Sequence, residues 1–465
     1  MKKEYILMEN NRPQEKMDGK FAFFHATSVN GTAMMIAAII GSYFSVYLTD
    51  TVGISATAVA GLMFTATLWD AINDPMMGVI ADRTHTKWGR YRPYFIFAPI
   101  LLTLFGTLLW VNMGSGSVWY YMIMYIGYGM TVTMYTMPQM SVLPAHVKDD
   151  QIRNKIITYG AGCTALMFTI GSSYGQVIEK WFASIFGISN GWIPLMFVLG
   201  LLSCVSFWGL FATGKEKYIE KVPERPLSHD LKRILKHKEL LPFIIVWIMA
   251  SLGYGLMFAT SVYYVMYYLA RPDLISTYML VVSMGALVSM VVLMPIVLRV
   301  FKTGQRALTF SVITSSICYA ILFFFGNTNF VFLCVVTFIA TALASMQNAL
   351  VNVLVNDAID YIQFTEGISA NGVISSIKGF AQKCGNTVSN SLPLFLLGLV
   401  GYVAGAVGQQ NEATLFILNF MRFGGPIITG LIMLVCLRFN PVEKHYEDIK
   451  AMKALIRDHS EDNHN

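Results

Sequence analysis

The chain has 465 residues, 55% of them apolar and only 13% charged, with 31 Phe and 28 Met. A soluble domain carries about 25% charged residues, so the composition excludes an ordinary water-soluble protein and fits a polytopic protein in a lipid bilayer. The net charge of +6 does not point to nucleic acid, because Lys and Arg are dealt out between apolar segments instead of forming one stripe.

Residues 1–22 are polar and charged and lead into a helix too long to be an h-region, so a cytoplasmic tail is expected there and no cleaved signal. Twelve spans follow, at 23–49, 55–81, 94–113, 117–143, 156–179, 191–213, 241–268, 275–300, 307–326, 329–356, 371–403 and 412–438. Loop charge tests the count. With the N-terminus inside, the inner loops hold Arg83, Lys87, Arg90 and Arg92, then Lys148, Arg153 and Lys155, then eight Lys or Arg between Lys215 and Lys238, then Arg299, Lys302 and Arg306. The outer loops hold Lys180 and Arg271, a bias that places both termini in the cytoplasm. The longest charged loop splits the spans six and six. The expected organisation is therefore a bundle at 23–213, a linker at 214–240, a second bundle at 241–438 and a tail at 439–465. Within the linker, Ser228 to Leu240 reads as a capped amphipathic helix on the membrane surface, and the tail spaces Val442, Tyr446, Ile449, Met452 and Leu455 for one apolar helical face.

Polar residues inside the spans come in stripes. Span 1 offers Thr27 and Asn30. Span 2 carries Asp70, Asn73 and Asp74 at i, i+3 and i+4, so the three side chains share one helix face. A carboxylate at a helix centre costs about 2.5–3.5 kcal/mol, which makes intramembrane acids functional candidates that face protein or water. Pro75 cannot donate to the carbonyl of Ala71 and is expected to leave that oxygen free. Two carboxylates and an amide are hard oxygen ligands, suited to Na⁺, Li⁺ or a proton. Their mutual repulsion would couple cation occupancy to charge. Span 4 aligns Thr133, Thr136 and Gln139. Span 10 aligns Ser345, Asn348, Asn352 and Asn356 and ends near Asp357 and Asp360. Span 11 aligns Ser376, Gly379, Lys383, Asn386 and Asn390, and span 12 holds Arg422. Each polar residue alone fits simple helix-to-helix bonding. As a set, the acids of the first half and Lys383 of the second are placed to meet across a central cavity. The six cysteines lie in apolar stretches without zinc-site spacing and read as small hydrophobes.

After span 2, Gly78-x-x-x-Asp82-Arg83 with Gly89-Arg90 and Arg92 following resembles the cytoplasmic signature of the major facilitator superfamily, and Arg299 to Arg306 is a worn copy six spans later. Trp69-Asp70-Ala71-Ile72-Asn73-Asp74-Pro75 and Lys87-Trp88-Gly89-Arg90-Tyr91-Arg92-Pro93 resemble the glycoside-pentoside-hexuronide:cation symporters, typified by melibiose permease. Gly129-Met130-Thr131-Val132-Thr133, Asp357-Ala358-Ile359-Asp360-Tyr361 and Lys383 placed before Gly401-Tyr402 extend the likeness over nearly the whole chain. The resemblance implies an all-α membrane fold of twelve helices in two pseudo-symmetric six-helix bundles. It also implies a cation site at Asp70, Asn73, Asp74 and Thr133, with Na⁺ at Asp70 and Asp74. Lys383 would link cation and sugar sites. From the polar stripes themselves, Asn30, Thr136, Gln139, Asn348, Asn352 and Asn386 are expected toward substrate. The family's sugar-holding aspartates of spans 1 and 4 fall on Met34 and Thr136, its span 5 arginine near Ala161 and its span 4 tryptophan on Met140. With those acids gone and Lys383 kept, an anionic sugar such as a hexuronide or a sulfonated hexose is expected to be tolerated.

The resulting expectation is cation-coupled sugar symport by alternating access in the plasma membrane. The coupling ion is Na⁺ or H⁺, no cofactor takes part, and the chain acts as a monomer and is not an enzyme. Lysolipid transport and a non-transporting sensor are the alternatives. An intramembrane aspartyl protease is disfavoured, since both acids share one turn and no Gly-x-Gly-Asp motif occurs.

Overall fold

The protein is seen in a computed structural model that describes residues 16–218, 237–301, 303–366 and 371–440. The amphipathic stretches expected in the linker and in the tail fall largely outside the described residues. Twelve helical rods are present among the described residues. They are α1 (Gly19–Thr51), α2 (Ala56–Arg83), α3 (Tyr94–Leu108), α4 (Val118–His146), α5 (Asp150–Phe186) and α6 (Trp192–Thr213), then α7 (Leu241–Tyr268), α8 (Pro272–Val300), α9 (Gly304–Phe325), α10 (Phe330–Glu366), α11 (Asn371–Leu399) and α12 (Glu412–Arg438). Eight of these are long and apolar enough to cross a membrane. The three long helices that fall short are α2, α4 and α11, which hold the acids, the threonines and Lys383.

Several helices depart from the expected spans. α5 begins well before 156 because the Asp149 carboxylate caps it, accepting from the backbone of Gln151 and Ile152 at 2.7 and 3.2 Å. It stops at Gly187, whose φ of +63° suits glycine. Lys180 therefore lies in the last turns of a helix and not in a loop. α10 likewise continues through Asp357 and Asp360 to Glu366, since leaving the bilayer does not end a helix. α3 ends earlier than expected, at Leu108. The chain beyond it is held instead by the Tyr121 hydroxyl, which donates to Val111 O and accepts from Met113 N at 2.7 and 3.1 Å.

Helices α2 and α4, α3 and α6, and α1 and α5 pack within the first half, and α7 with α12 and α9 with α10 within the second. The halves meet where α2 lies along α11 and α5 along α8, the latter pair joined by Ser172 and Ser283 hydroxyls 2.9 Å apart. At the end opposite the termini the halves are sealed. Thr49 of α1 bonds Tyr263 at 3.2 Å, and the Asp50 carboxylate accepts from Tyr267 and from Tyr402. Toward the other end, α10 grades from buried Ser345 through half-buried Asn348 to exposed Asn352 and Asn356. Asparagines are poorly suited to lipid, and the exposed part of this stripe lies toward the side that carries the termini.

The sequence echo between the two halves has a structural counterpart. Arg92 in the loop after α2 donates to the carbonyl of Phe211 near the end of α6 at 3.1 and 2.8 Å. Gln305, just after the echo's glycine, donates to the carbonyl of Leu437 at the end of α12 at 2.8 Å.

Candidate functional site

The face of α2 predicted from i, i+3, i+4 spacing points at α4 and α11. One oxygen of Asp74 accepts the Thr133 hydroxyl at 2.7 Å, and the other forms an ion pair with Lys383. The same lysine donates to the backbone carbonyl of Asp70 at 2.8 Å. The expected free oxygen of Ala71 is thus not the one used. α2 runs unbroken through Pro75, and Lys383 reaches the carbonyl one residue earlier. Asp70 Oδ1 and the Asn73 amide nitrogen are buried with no hydrogen-bond partner among the described residues. Asp70 can approach α4 because residue 129 is glycine; a Cβ there would overlap its carboxylate. Asp74 and Thr133 therefore meet, as the family resemblance implied, and Asp70 on the same face of α2 lies against Gly129 one turn earlier in α4. The Lys383 and Asp74 side chains are 26% and 22% exposed, so the pair is only partly buried. Buried acid pairs require a compensating positive charge, and in this arrangement Lys383 supplies it.

Other candidates separate into two groups. Asn348, Asn386 and Asn390 line a cavity of about 310 Å³ between the halves, and Asn352 lies exposed below it. Thr136 bonds the carbonyl of Val132 within α4, and Gln139 is taken up by α1, donating to His25 O at 3.3 Å. Asn30 sits beside a kink at Gly31 in α1 and packs its amide against Gly160 of α5. Arg422 is fully buried inside the second half, donating to the Tyr278 hydroxyl at 3.0 Å, away from the acids. Ser251 and Tyr254 of α7 and Gln382 of α11 also line the cavity and were not singled out from the sequence. Gln382 lies four residues before Asn386, on the helical face that Asn386 and Asn390 share, and α7 carries no stripe.

In the signature loop, Thr86 and Gly89 form an antiparallel bridge, and Gly89 takes φ of +109°. Its missing side chain admits the Glu216 carboxylate. That carboxylate accepts from the backbone of Arg90, Tyr91 and Arg92 at 2.7, 2.7 and 3.1 Å. Glu216, at the start of the linker, is the member of this motif that the sequence pattern does not contain. Gly78 has open space around its Cα and Arg83 is exposed; the side chain of Asp82 lies outside the described residues.

Residues 28–444 match the MFS/sugar transport protein family. The chain belongs to that family. A member of this major facilitator family is a multi-pass membrane transporter and not an enzyme. Among its relatives is the isoprimeverose transporter of Lactiplantibacillus pentosus, 25% identical over 91% of this chain and 89% of that one. The glucuronide carrier protein homolog of Escherichia coli is 26% identical over 93% and 96%. The putative sulfoquinovose importer of Salmonella typhimurium is 25% identical over 85% and 84%. Among solved structures, an inward-facing, unoccupied bacterial homolog of the human lysosomal transporter Spinster superposes with a TM-score of 0.65 at 11% identity, over 91% of this chain and 97% of that one. A D-xylose-proton symporter gives 0.60 at 15%, over 89% and 97%. These structural likenesses establish the major facilitator fold.

Proposed function

We propose that this family member is a cation-coupled sugar symporter of the plasma membrane, with cytoplasmic termini, working as a monomer by alternating access. The observation that carries the reading is the Lys383–Asp74 ion pair between the two halves, set beside the unpartnered Asp70 Oδ1 and Asn73 amide. A Na⁺ or H⁺ entering this group competes with Lys383 for the same carboxylate. The donor set of two carboxylates, an amide and a hydroxyl is hard oxygen, suited to Na⁺ or H⁺. Displacing the lysine loosens α11 from α2 and changes the contact between halves on which the conformational equilibrium depends. If cation favours sugar binding, sugar must favour the cation equally. The sealed distal end and the exposed asparagines toward the termini correspond to an inward-facing arrangement. The isoprimeverose, glucuronide and sulfoquinovose proteins among the relatives support a sugar as cargo. The amide-lined cavity favours a sugar over a lysolipid.

The test is sugar-driven cation movement in proteoliposomes, screened over neutral glycosides, hexuronides and sulfonated sugars, with wild type beside Asp74→Asn and Lys383→Ala. Movement of one sugar class with Na⁺ or H⁺, and loss of concentrative uptake in both variants, is expected. A folded protein that moves no cation with any sugar would overturn the proposal.

A further inference from the structure

Helix α11 has two working faces. Lys383 turns toward α2, held on Asp74, and Thr387 one turn on is buried and bonds the Lys383 carbonyl. Gln382, Asn386, Ser389 and Asn390 turn into the cavity, at the i, i+4, i+7 and i+8 spacing of one helical stripe. Across that space α10 contributes Asn348, whose side-chain oxygen accepts from the Gln382 amide at 3.3 Å, and α7 contributes Ser251 and Tyr254. Part of the lining is aromatic: Phe168 of α5 stands edge-on to Phe258 of α7 at 5.0 Å and 90°, and Tyr254 lies 5.3 Å from Phe258.

Three properties of this lining bear on what it accepts. Primary amides present donors and acceptors side by side, matching a sugar edge on which each hydroxyl both donates and accepts. Aromatic rings suit the C–H face of the same ring. And no lining residue of the cavity is charged among the described residues; the nearest lysine is already neutralised by an acid on the next helix. A carboxylate or sulfonate placed here would lose its hydration without gaining a counter-charge, a penalty larger than that of an uncharged hydroxyl. The polar groups, moreover, come from the second half, with Ser42 as the first half's contribution.

We infer that this cavity selects neutral glycosides, and that amides of the C-terminal bundle, Gln382 and Asn386 foremost with Asn348 and Asn390 beside them, are its specificity-determining residues. It departs from the tolerance of an anionic sugar expected from sequence, because Lys383 is held by Asp74 in this arrangement. It rests on sugar transport by the same central cavity, and it makes a separate claim about charge.

Matched ligand pairs test it: methyl glucoside against methyl glucuronide, methyl galactoside against methyl galacturonide, and methyl xyloside, each assayed for equilibrium binding to the full purified chain by calorimetry. At least one neutral member should bind about tenfold or more tighter than its uronate. Gln382→Ala and Asn386→Ala should each weaken that binding by about tenfold, with unchanged melting temperature confirming the fold. Asn390→Asp, which adds a negative charge, should depress uronate binding further than neutral binding. Tighter binding of a uronate, or no binding by any member, overturns the inference. Neutral binding that depends on the amides but never drives cation movement would leave the pocket standing and remove the coupling. Cation movement driven by a uronate alone would do the reverse.

Discussion

The phenol of Tyr402 donates to the Asp50 carboxylate at 2.7 Å, tying the loop after α11 to the last turn of α1. Tyr267 of α7 donates to the other oxygen of the same carboxylate, and its hydroxyl accepts from the backbone of Gly405 at 2.9 Å. One acid of the first half thus gathers two phenols of the second. Bonds to an ionised acceptor are stronger than neutral ones, so Asp50 is the principal clasp of the sealed end. Asp50→Asn keeps the shape and removes the charge. It is expected to shift the protein toward distal opening by about 1.5–3 kcal/mol, read as a longer mean distance between spin labels at Thr51→Cys and Val403→Cys in a background without native cysteines.

Lys383 and a cation compete for Asp74. Lys383→Ala removes the competitor and leaves the acids available, so cation affinity measured by calorimetry should rise, by about tenfold if the displaced pair contributed about 1.4 kcal/mol. Concentrative sugar uptake by the same variant should fail. A drop in cation affinity would show that Lys383 supports the site and does not contest it.

A Cβ at residue 129 would overlap the Asp70 carboxylate, whereas one at Gly162 meets nothing within 4 Å. Gly129→Ala should cost about 1–3 kcal/mol of stability through overpacking and should lose most cation-dependent transport. Gly162→Ala, on the exposed side of α5, should alter neither. Thermal melting and uptake on the same preparations separate the two effects.

Glu216 satisfies three consecutive backbone donors in the signature loop. Glu216→Ala strands them and should lower stability by about 1–3 kcal/mol; Glu216→Gln, which keeps one acceptor oxygen, should lose less. Gly89→Ala meets both the Glu216 carboxylate and a φ of +109°, and is expected to lower the melting temperature at least as far as Glu216→Ala.

Much of the site was legible because it lies within one helical turn. Asp70, Asn73 and Asp74 are neighbours by periodicity alone, and an acid pair in an apolar span demands compensation wherever the span packs. Lys383 could be named as a partner from its own stripe, and Thr133 from the resemblance to the symporters. Gln139 followed the same stripe as Thr133 and Thr136 but was claimed by His25 of α1, since stripe membership does not say which neighbour a side chain meets. Glu216 and Tyr254 had no periodic signal, and Gln382 shares the face of Asn386 and Asn390 but was passed over beside Lys383. Each matters through a contact with a residue at least 30 positions away in the chain or with the space between helices.

Local chemistry in the sequence by itself determined the membrane class, the helical rods, the two-half organisation and the oxygen-rich face of α2. Apolar length, proline and charge spacing act over a few residues and need no partner to be read. The tertiary structure alone decided which end is sealed, that Lys383 is committed to Asp74, and that the cavity wall is amide-rich and uncharged. Those facts depend on how α2, α7, α10 and α11 are rotated about their axes, and that rotation is set by packing across the two halves.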